Sequence, residues 1–187
     1  MHTLLGVILV ASFAFLGTMF DNFFAFAAQL VVTQPSRFRR VGWAHALAIA
    51  TIVMLASGLG SLLAPIPLRW IGLLSVAPFA FALHAWRHRA PAREQFRRGS
   101  VTTFVLALGL GGDNLAVWIP LFRADGVAHA FLTVATFALW EMVFLFSAVQ
   151  FATHPRVVRW GNEHAATFMP YLYVMLGVLI LIECRTI

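Results

Sequence analysis

Two aspartate–asparagine pairs lie within apolar stretches of this chain, and they are the residues best suited to chemistry. Asp21 and Asn22 form the first pair, and Asp113 and Asn114 form the second at an offset of 92 residues. A carboxylate at membrane depth costs about 2.5–3.5 kcal/mol on insertion scales, so it is rarely present without a function. Carboxylate and amide oxygens are the hard ligands that divalent cations such as Mg²⁺, Ca²⁺ and Mn²⁺ take. The repetition therefore predicts one shared cation site, formed where two similar halves of the chain meet.

A third carboxylate and a hydroxyl are further candidate ligands. Glu141 lies in the middle of a later apolar stretch, and Thr18 precedes Asp21 by three residues, on about the same helix face. Three carboxylates around one divalent ion leave a surplus negative charge that a proton would neutralise, so proton–metal exchange is a natural coupling mechanism. Structural roles stay open for all of them. Glu141 could bond a neighbouring span, Thr18 its own backbone, and the aspartates could be protonated hydrogen-bonding groups.

Softer or titratable side chains near these motifs have a packing interpretation as well. Met19 and Met54 carry thioethers, but methionine in an apolar span is usually a packing residue. His45 and His129 occupy matching places in two spans and suggest a metal relay, although histidines near the membrane interface are the commoner case. Cys184 is the single cysteine, which excludes an intramolecular disulfide and a multi-cysteine metal site within one chain.

The sequence has no pattern that indicates an enzyme. It contains no Gly-rich phosphate loop, no His-Glu-x-x-His zinc motif and no nucleophile elbow. We therefore expect neither catalysis nor a cofactor, and we treat a divalent metal cation as a transported substrate.

Composition places the chain in a membrane. It is 61% hydrophobic and 11% charged, whereas a soluble domain has about 25% charged residues. The mean hydropathy is +0.86, and apolar stretches of membrane-spanning length recur. The first apolar run, residues 4–16, is similar to a signal-peptide core. No Lys or Arg precedes it and it continues to residue 32, so a spanning helix is the better interpretation.

Six apolar segments are long enough to cross a hydrocarbon core of about 30 Å. They cover residues 4–32, 41–66, 68–86, 101–122, 126–152 and 165–182. The second and third are separated only by Pro65-Ile66-Pro67, and Pro120 should kink or end the fourth. Adjacent side chains on a regular helix point about 100° apart, so an Asp–Asn pair can aim at one point only where the helix unwinds, as Gly111-Gly112 permits. The predicted fold is an all-α membrane protein with six transmembrane helices, broken at the acidic motifs.

Arginines predict the orientation of these spans. All 13 basic residues are arginine, and the formal net charge is +6. The first, third and fifth loops hold ten of them, and the other side holds Arg69, Arg123 and Arg185. Because positive loops stay in the cytoplasm, this asymmetry predicts a multi-pass protein of the bacterial inner membrane with both termini outside. We therefore expect these arginines to interact with the lipid bilayer, and we expect no nucleic-acid partner.

The two halves of the chain repeat weakly. Pro78 and Pro170 share the offset of 92 residues, and at an offset of 84 His45 matches His129 while Ser57 falls on Glu141. Three spans in each half is an odd number, so the second half must be inverted relative to the first. We expect one transmembrane domain, with repeat 1 at residues 1–86, a cytoplasmic linker at 87–100 and repeat 2 at 101–187. A homo-oligomer is an open option.

The stretch from Gly111 to Phe122 resembles a signature of the bacterial cadmium-resistance transporters of the lysine-exporter superfamily. Those proteins carry Asn-Gly-Gly-Asp-Asn-Ile-Gly-Val-Tyr-Ile-Pro-Leu-Phe, and this chain reads Gly-Gly-Asp-Asn-Leu-Ala-Val-Trp-Ile-Pro-Leu-Phe. The stretch from Met19 to Phe26 is similar to their other signature, Asn-Ile-Asp-Asp-Leu-Phe-Val-Leu. The resemblance implies a divalent-metal exporter whose two acidic motifs form the ion site.

The chain departs from these signatures in ways that bear on the ion. Asn22 stands where the family has its second aspartate, and Met19 and Leu110 stand where it has leading asparagines. Glu141 would restore one lost charge. Cadmium prefers sulfur donors and no cysteine lies near the predicted site, so manganese, zinc or another divalent ion stays open. Two alternatives remain: an exporter of an amino acid or small organic cation, and a membrane scaffold whose aspartates serve helix packing.

Overall fold

The computed structural model describes residues 3–31, 33–67, 70, 72–87, 103–105, 107–108 and 111–183, and these contain helices and no strands. The longer helices are α1 Leu4–Thr18, α2 Phe20–Val31, α3 Phe38–Leu62, α4 Val76–Arg87, α5 Gly112–Ala152 and α6 Pro155–Glu183. Short 3-10 helices at Pro35–Arg37 and Gly72–Ser75 precede α3 and α4. The predicted linker lies outside the described residues except for Arg87 at the end of α4, and so does Cys184.

Two helical segments are long and apolar enough to cross a membrane. They are Pro35–Leu62 with 28 residues and Asn114–Ala152 with 39 residues. A third candidate is the pair α1 and α2, which is bent by 54°, so the segment expected over residues 4–32 is broken beside its acidic motif. The predicted third span begins as a 3-10 turn, and its 12-residue α4 is only about 18 Å long. Six spans and inverted repeats remain predictions.

Helix α5 folds back on itself at Gly126. Its 41 residues would extend about 60 Å if straight, twice the thickness of a hydrocarbon core. The ring centroids of Trp118 and Phe137 are only 4.7 Å apart, whereas 19 positions of straight helix span about 28 Å. Gly126 has φ 63° and ψ −178°, a conformation essentially restricted to glycine. Pro120, which was expected to kink or end this helix, does not end it, and the reversal lies at Gly126.

An aromatic cluster joins α1 to both arms of α5. Phe15 stacks on Trp118 with centroids 6.0 Å apart, and Phe15 also meets Phe137 at 5.4 Å. All three side chains are buried. Lipid is as apolar as these rings, so in a membrane their close van der Waals packing, and not a hydrophobic effect, would hold the helices together.

Hydrogen bonds from polar side chains connect helix ends that are distant in sequence. Arg123, on the first arm of α5, donates hydrogen bonds of 2.7–2.9 Å to the carbonyls of Leu63, Ala64 and Ile66. Carbonyls that follow a helix lack intrahelical donors, so the guanidinium satisfies groups at the end of α3. Gln29, near the end of α2, donates to Thr103 at 2.7 Å. The turn after α3 thus lies beside the turn within α5, and the end of α2 lies beside the segment that precedes α5.

The outer surface carries large apolar side chains. Phe131 is 83% exposed and Met54 is 74% exposed, and Trp43 and Val127 are similarly open. Exposed apolar patches of this extent mark an interaction surface, and together with the long apolar helices they are what a lipid-facing surface requires.

Candidate metal site

Both acidic motifs occupy the same position in their helices. Asp21 and Asn22 are the second and third residues of α2, and Asp113 and Asn114 are the second and third residues of α5. A break precedes each motif, so the helix is interrupted before the Asp–Asn pair and not within it. Carboxylates near a helix N-terminus interact favourably with the helix dipole, which helps to accommodate them in an apolar surrounding.

The first break lies at Met19, between α1 and α2. Its φ of −94° and ψ of 4° are not helical, but its N–H still bonds the carbonyl of Phe15 at 2.9 Å, and its carbonyl accepts from Phe23 at 2.9 Å. The chain therefore bends while its backbone polar groups stay satisfied, as an apolar environment demands.

A close approach to α3 fixes the second break. A β-carbon at Gly111 would collide with Cδ1 of Ile52, and it would lie 3.2 Å from the carbonyl oxygen of Ala107. A larger residue would require Ile52 to change its side-chain conformation and the carbonyl of Ala107 to shift by a few tenths of an ångström. The glycine that the sequence suggested for its flexibility therefore also suits this turn by its small size, which lets the start of α5 pack against α3.

One sulfur atom joins the two motifs. Nδ2 of Asn22 lies 3.7 Å from Sδ of Met19, and Nδ2 of Asn114 lies 3.5 Å from the same sulfur. All three residues are at most 2% exposed. The two repeated asparagines, distant in sequence, therefore meet at one buried point. The side chains of Asp21 and Asp113 lie outside the described residues, so their part in a site remains a prediction.

Thr18 adopts the arrangement that the sequence analysis offered as its structural alternative. Its hydroxyl donates to the carbonyls of Ala14 at 2.9 Å and Phe15 at 3.3 Å, one turn back in α1. The residue is completely buried directly before the break at Met19. This bond orients the hydroxyl oxygen, whose lone pairs can still accept, and ligation by Thr18 stays a prediction.

Glu141 bonds a neighbouring helix, which was its structural alternative, and its partner is a residue that the sequence did not indicate. Its Oε1 lies 2.9 Å from Nδ1 of His45, and this bond joins α5 to α3. His45 is 3% exposed and Glu141 is 7% exposed. The second oxygen, Oε2, is buried without a hydrogen-bond partner among the described residues. His45 is therefore buried inside the bundle and paired across two helices, a contact that neither the metal relay nor the interfacial interpretation had included.

Aromatic rings enclose this pair. The ring of Phe144 stacks on His45 with centroids 4.9 Å apart, and Phe26 lies 4.5 Å from the same imidazole. An apolar enclosure strengthens a hydrogen bond and penalises an unpaired polar group, so loss of either partner would be costly.

The other paired histidine is not an equivalent of His45. Nδ1 of His129 lies 3.3 Å from the backbone carbonyl of Asp125, within its own helical hairpin. Asp125 is a buried carboxylate that sequence reasoning missed, and Thr133 donates to its Oδ2 at 2.5 Å. The signal was the Asp-Gly dipeptide, which favours a turn. The hydrogen bond between Thr133 and Asp125 spans the reversal at Gly126 and stabilises it. It does not connect the two acidic motifs.

An apolar cavity of about 320 Å³ lies beside Met19, between α1, α2 and the second arm of α5. Aromatic side chains dominate its lining, including Phe20, Phe23, Phe144 and Phe151. Met19 and Ser147 are the lining residues with a sulfur or hydroxyl donor, and no carboxylate or imidazole of the described residues lines the cavity. Within the described residues, no group of three or more His, Cys, Asp and Glu side chains could hold a metal ion. A site here therefore needs the two motif aspartates, or neutral donors such as amide and thioether groups.

Comparison with known proteins identifies the family. Residues 91–187 match the sequence profile of the family described as cadmium resistance transporter, and this match covers just over half of the chain. No curated protein and no solved structure matches the chain. The matched region includes the second acidic motif, the hairpin of α5 and Glu141. The apolar helices agree with a transporter of this kind, which is a membrane protein and not an enzyme. The chain belongs to the cadmium resistance transporter family.

Proposed function

We propose that this protein exports a divalent metal cation, cadmium or a similar ion, across the bacterial inner membrane. The ion binds where the two acidic motifs meet, and the chain crosses the membrane six times as two inverted three-helix repeats. Asp21 and Asp113 supply the negative charge, and Asn22 and Asn114 supply neutral donors. The alternatives of an amino-acid exporter and a passive scaffold have no observation in their favour.

The observation that carries this proposal is the meeting of Asn22 and Asn114 at the sulfur of Met19. Both asparagines directly follow an aspartate at the start of a helix. Discontinuous helices whose ends converge from two repeats are a common plan for ion sites in secondary transporters. The plan explains why each motif has a break before it and why a carboxylate is retained at both places.

Proton exchange is the coupling mechanism that we propose, with the buried pair of His45 and Glu141 as the proton carrier. One proton shared between Nδ1 and Oε1 keeps the pair neutral, whichever atom holds it. A divalent cation arriving nearby stabilises the deprotonated, negative state of the pair and so promotes release of the proton. The contact seen for Glu141 is His45, so we assign the exchanged proton to this pair. Ligation of the metal by Glu141 stays a prediction.

A chain of contacts links the pair to the motifs. The backbone N–H of Phe23 bonds the carbonyl of Met19 at 2.9 Å, and the Phe23 ring meets Phe144 at 5.3 Å. Phe144 in turn stacks on His45. A rearrangement of Met19 on ion binding therefore has a packed route by which it shifts the surroundings of the pair.

A metal panel in proteoliposomes tests the proposed function. Purified protein is reconstituted with a metal-sensitive fluorescent indicator inside, and Cd²⁺, Zn²⁺, Mn²⁺, lysine and arginine are offered outside, singly and in competition. We expect saturable Cd²⁺ flux that neither amino acid inhibits. Inhibition by lysine would favour the organic substrate, and the absence of flux for every ion would favour the scaffold.

A further inference from the structure

The sulfur of Met19 is placed as a metal ligand would be. We infer that this thioether binds the transported cation directly, together with the side-chain oxygens of Asn22 and Asn114. The inference rests on the proposed function, and it names the atoms that favour a soft ion over a hard one. Sequence reasoning treated Met19 as packing, because methionine in an apolar span usually is.

Met19 is the residue at which the first spanning segment breaks. Its backbone hydrogen bonds are complete on both sides, so the break leaves no main-chain group in need of a ligand. The side chain is 2% exposed and reaches from the α1–α2 junction to the start of α5. Of the donor atoms described at this junction, Sδ is the one in contact with both motifs.

The two asparagine amides direct N–H groups at a weak acceptor. A thioether sulfur is among the poorest acceptors in proteins, and buried amides normally bond oxygen. The nitrogen and oxygen of a primary amide exchange places by a half-turn about one torsion angle. A half-turn of each amide would therefore place the oxygens of Asn22 and Asn114 where the structure places their N–H groups. The sulfur and two oxygens would then converge on one point.

The separations match the edges of a coordination shell. The sulfur lies 3.5 Å from the Asn114 amide and 3.7 Å from the Asn22 amide. For zinc, with sulfur at about 2.3 Å and oxygen at about 2.1 Å, a tetrahedral angle gives an edge of about 3.6 Å. A larger ion with longer bonds spans the same edge at a smaller angle. A half-turn of each amide, without a backbone shift, would therefore give two sulfur–oxygen edges of a coordination shell.

The chemistry of this donor set selects the ion. Thioethers are soft ligands, whereas carboxylates and carbonyls suit Mg²⁺, Ca²⁺ and Mn²⁺. A site of carboxylate and amide oxygens alone would accept the hard ions that are abundant in a cell. One sulfur among the oxygens shifts the preference towards Cd²⁺ or Zn²⁺. The lack of a nearby cysteine argued against cadmium at the level of sequence. Met19 supplies the sulfur donor that a cysteine would otherwise provide.

X-ray absorption spectroscopy of bound Cd²⁺ tests the inference. Purified protein carrying Cys184→Ser is loaded with Cd²⁺ alone, so that methionine is the sole source of sulfur. Met19→Leu removes the sulfur at nearly constant volume, and Met54→Leu is the matched control on the exposed face of α3. We expect a cadmium–sulfur scattering shell in the parent and in Met54→Leu, and its loss in Met19→Leu. Cadmium affinity should fall at least about tenfold in Met19→Leu, while Mn²⁺ affinity should stay unchanged.

The possible results separate the inference from the proposed function. Cadmium bound in the parent with an oxygen and nitrogen shell only would overturn the Met19 inference and leave the exporter proposal standing. A sulfur shell that survives in Met19→Leu would also overturn it. A parent protein that binds neither Cd²⁺ nor Mn²⁺, although correctly folded by its elution profile, would overturn both.

Discussion

His45 on α3 and Glu141 on α5 form a buried hydrogen bond of 2.9 Å, 96 positions apart in sequence. Either the imidazole N–H donates to the carboxylate, or the carboxyl O–H donates to the ring nitrogen. The bond crosses from the first half of the chain to the second. Both side chains are buried in the interior of the bundle.

Removal of the imidazole should destabilise the protein. His45→Ala leaves Oε1 of Glu141 buried without its partner, and Oε2 already has none among the described residues. We expect a loss of about 1–3 kcal/mol in the free energy of unfolding, measured by thermal or chemical unfolding in detergent. His129→Ala is the control, because the imidazole of His129 makes a long bond of 3.3 Å to the backbone carbonyl of Asp125, one turn back in the chain. Equal losses in both variants would show that the buried pair contributes nothing specific.

Glu141→Gln should uncouple transport from the proton gradient. The amide can still bond His45, so the fold is retained, but it cannot release a proton to neutralise an incoming ion. In wild-type proteoliposomes with the membrane potential clamped, acid on the outside should accelerate export. In Glu141→Gln the flux should be insensitive to the gradient, with metal binding weakened but present. A wild-type flux that ignores the gradient would rule out proton coupling.

Asp21→Asn and Asp113→Asn should each abolish transport with little effect on folding. A buried amide costs less than a buried charge, yet it cannot neutralise a divalent ion. Metal flux in proteoliposomes and the elution profile of each variant are the two measurements. Asp125→Asn is the control, since that carboxylate bonds Thr133 in the α5 hairpin and is not part of an acidic motif. Wild-type flux in either motif variant would make that aspartate structural.

Gly126→Ala should weaken the hairpin of α5. The residue has φ 63° and ψ −178°, and forcing an alanine into that conformation costs about 1–3 kcal/mol. No atom lies within 4 Å of the added β-carbon, so backbone strain is the whole effect. Gly58→Ala is the matched control, because it too meets open space but lies within helix α3. A thermal shift of the same sign and size in both variants would show that no strain acts at Gly126.

The orientation of the chain is tested by accessibility. A cysteine placed within residues 87–100, in a Cys184→Ser background, should resist an impermeant thiol reagent in intact cells and react after lysis. The reason is the ten-to-three split of arginines between the two sides. Labelling of that loop from outside would reverse the topology and remove the support for inverted repeats.

The sequence by itself determined the helical class of the protein and supplied the candidate site residues. Its apolar runs predicted helices and a membrane, and the helical fold agrees with them. A stretch of low polarity predicts a helix without reference to the rest of the chain, because a backbone in lipid must satisfy its own hydrogen bonds. The repeated Asp–Asn pairs and the stretch from Gly111 to Phe122 were visible for the same reason, because they are contiguous in the chain. The family match over residues 91–187 bears out that resemblance.

The tertiary structure alone decided which of these residues touch. No pattern in the sequence pairs His45 with Glu141, because that bond depends on how α3 packs on α5. The same holds for Met19, whose sulfur meets Asn114 only because α1 breaks there and the start of α5 lies alongside. Helix reversal at Gly126 depends on one torsion angle, which a glycine permits but does not dictate. Contacts between distant segments follow from packing, and packing is a property of the whole bundle.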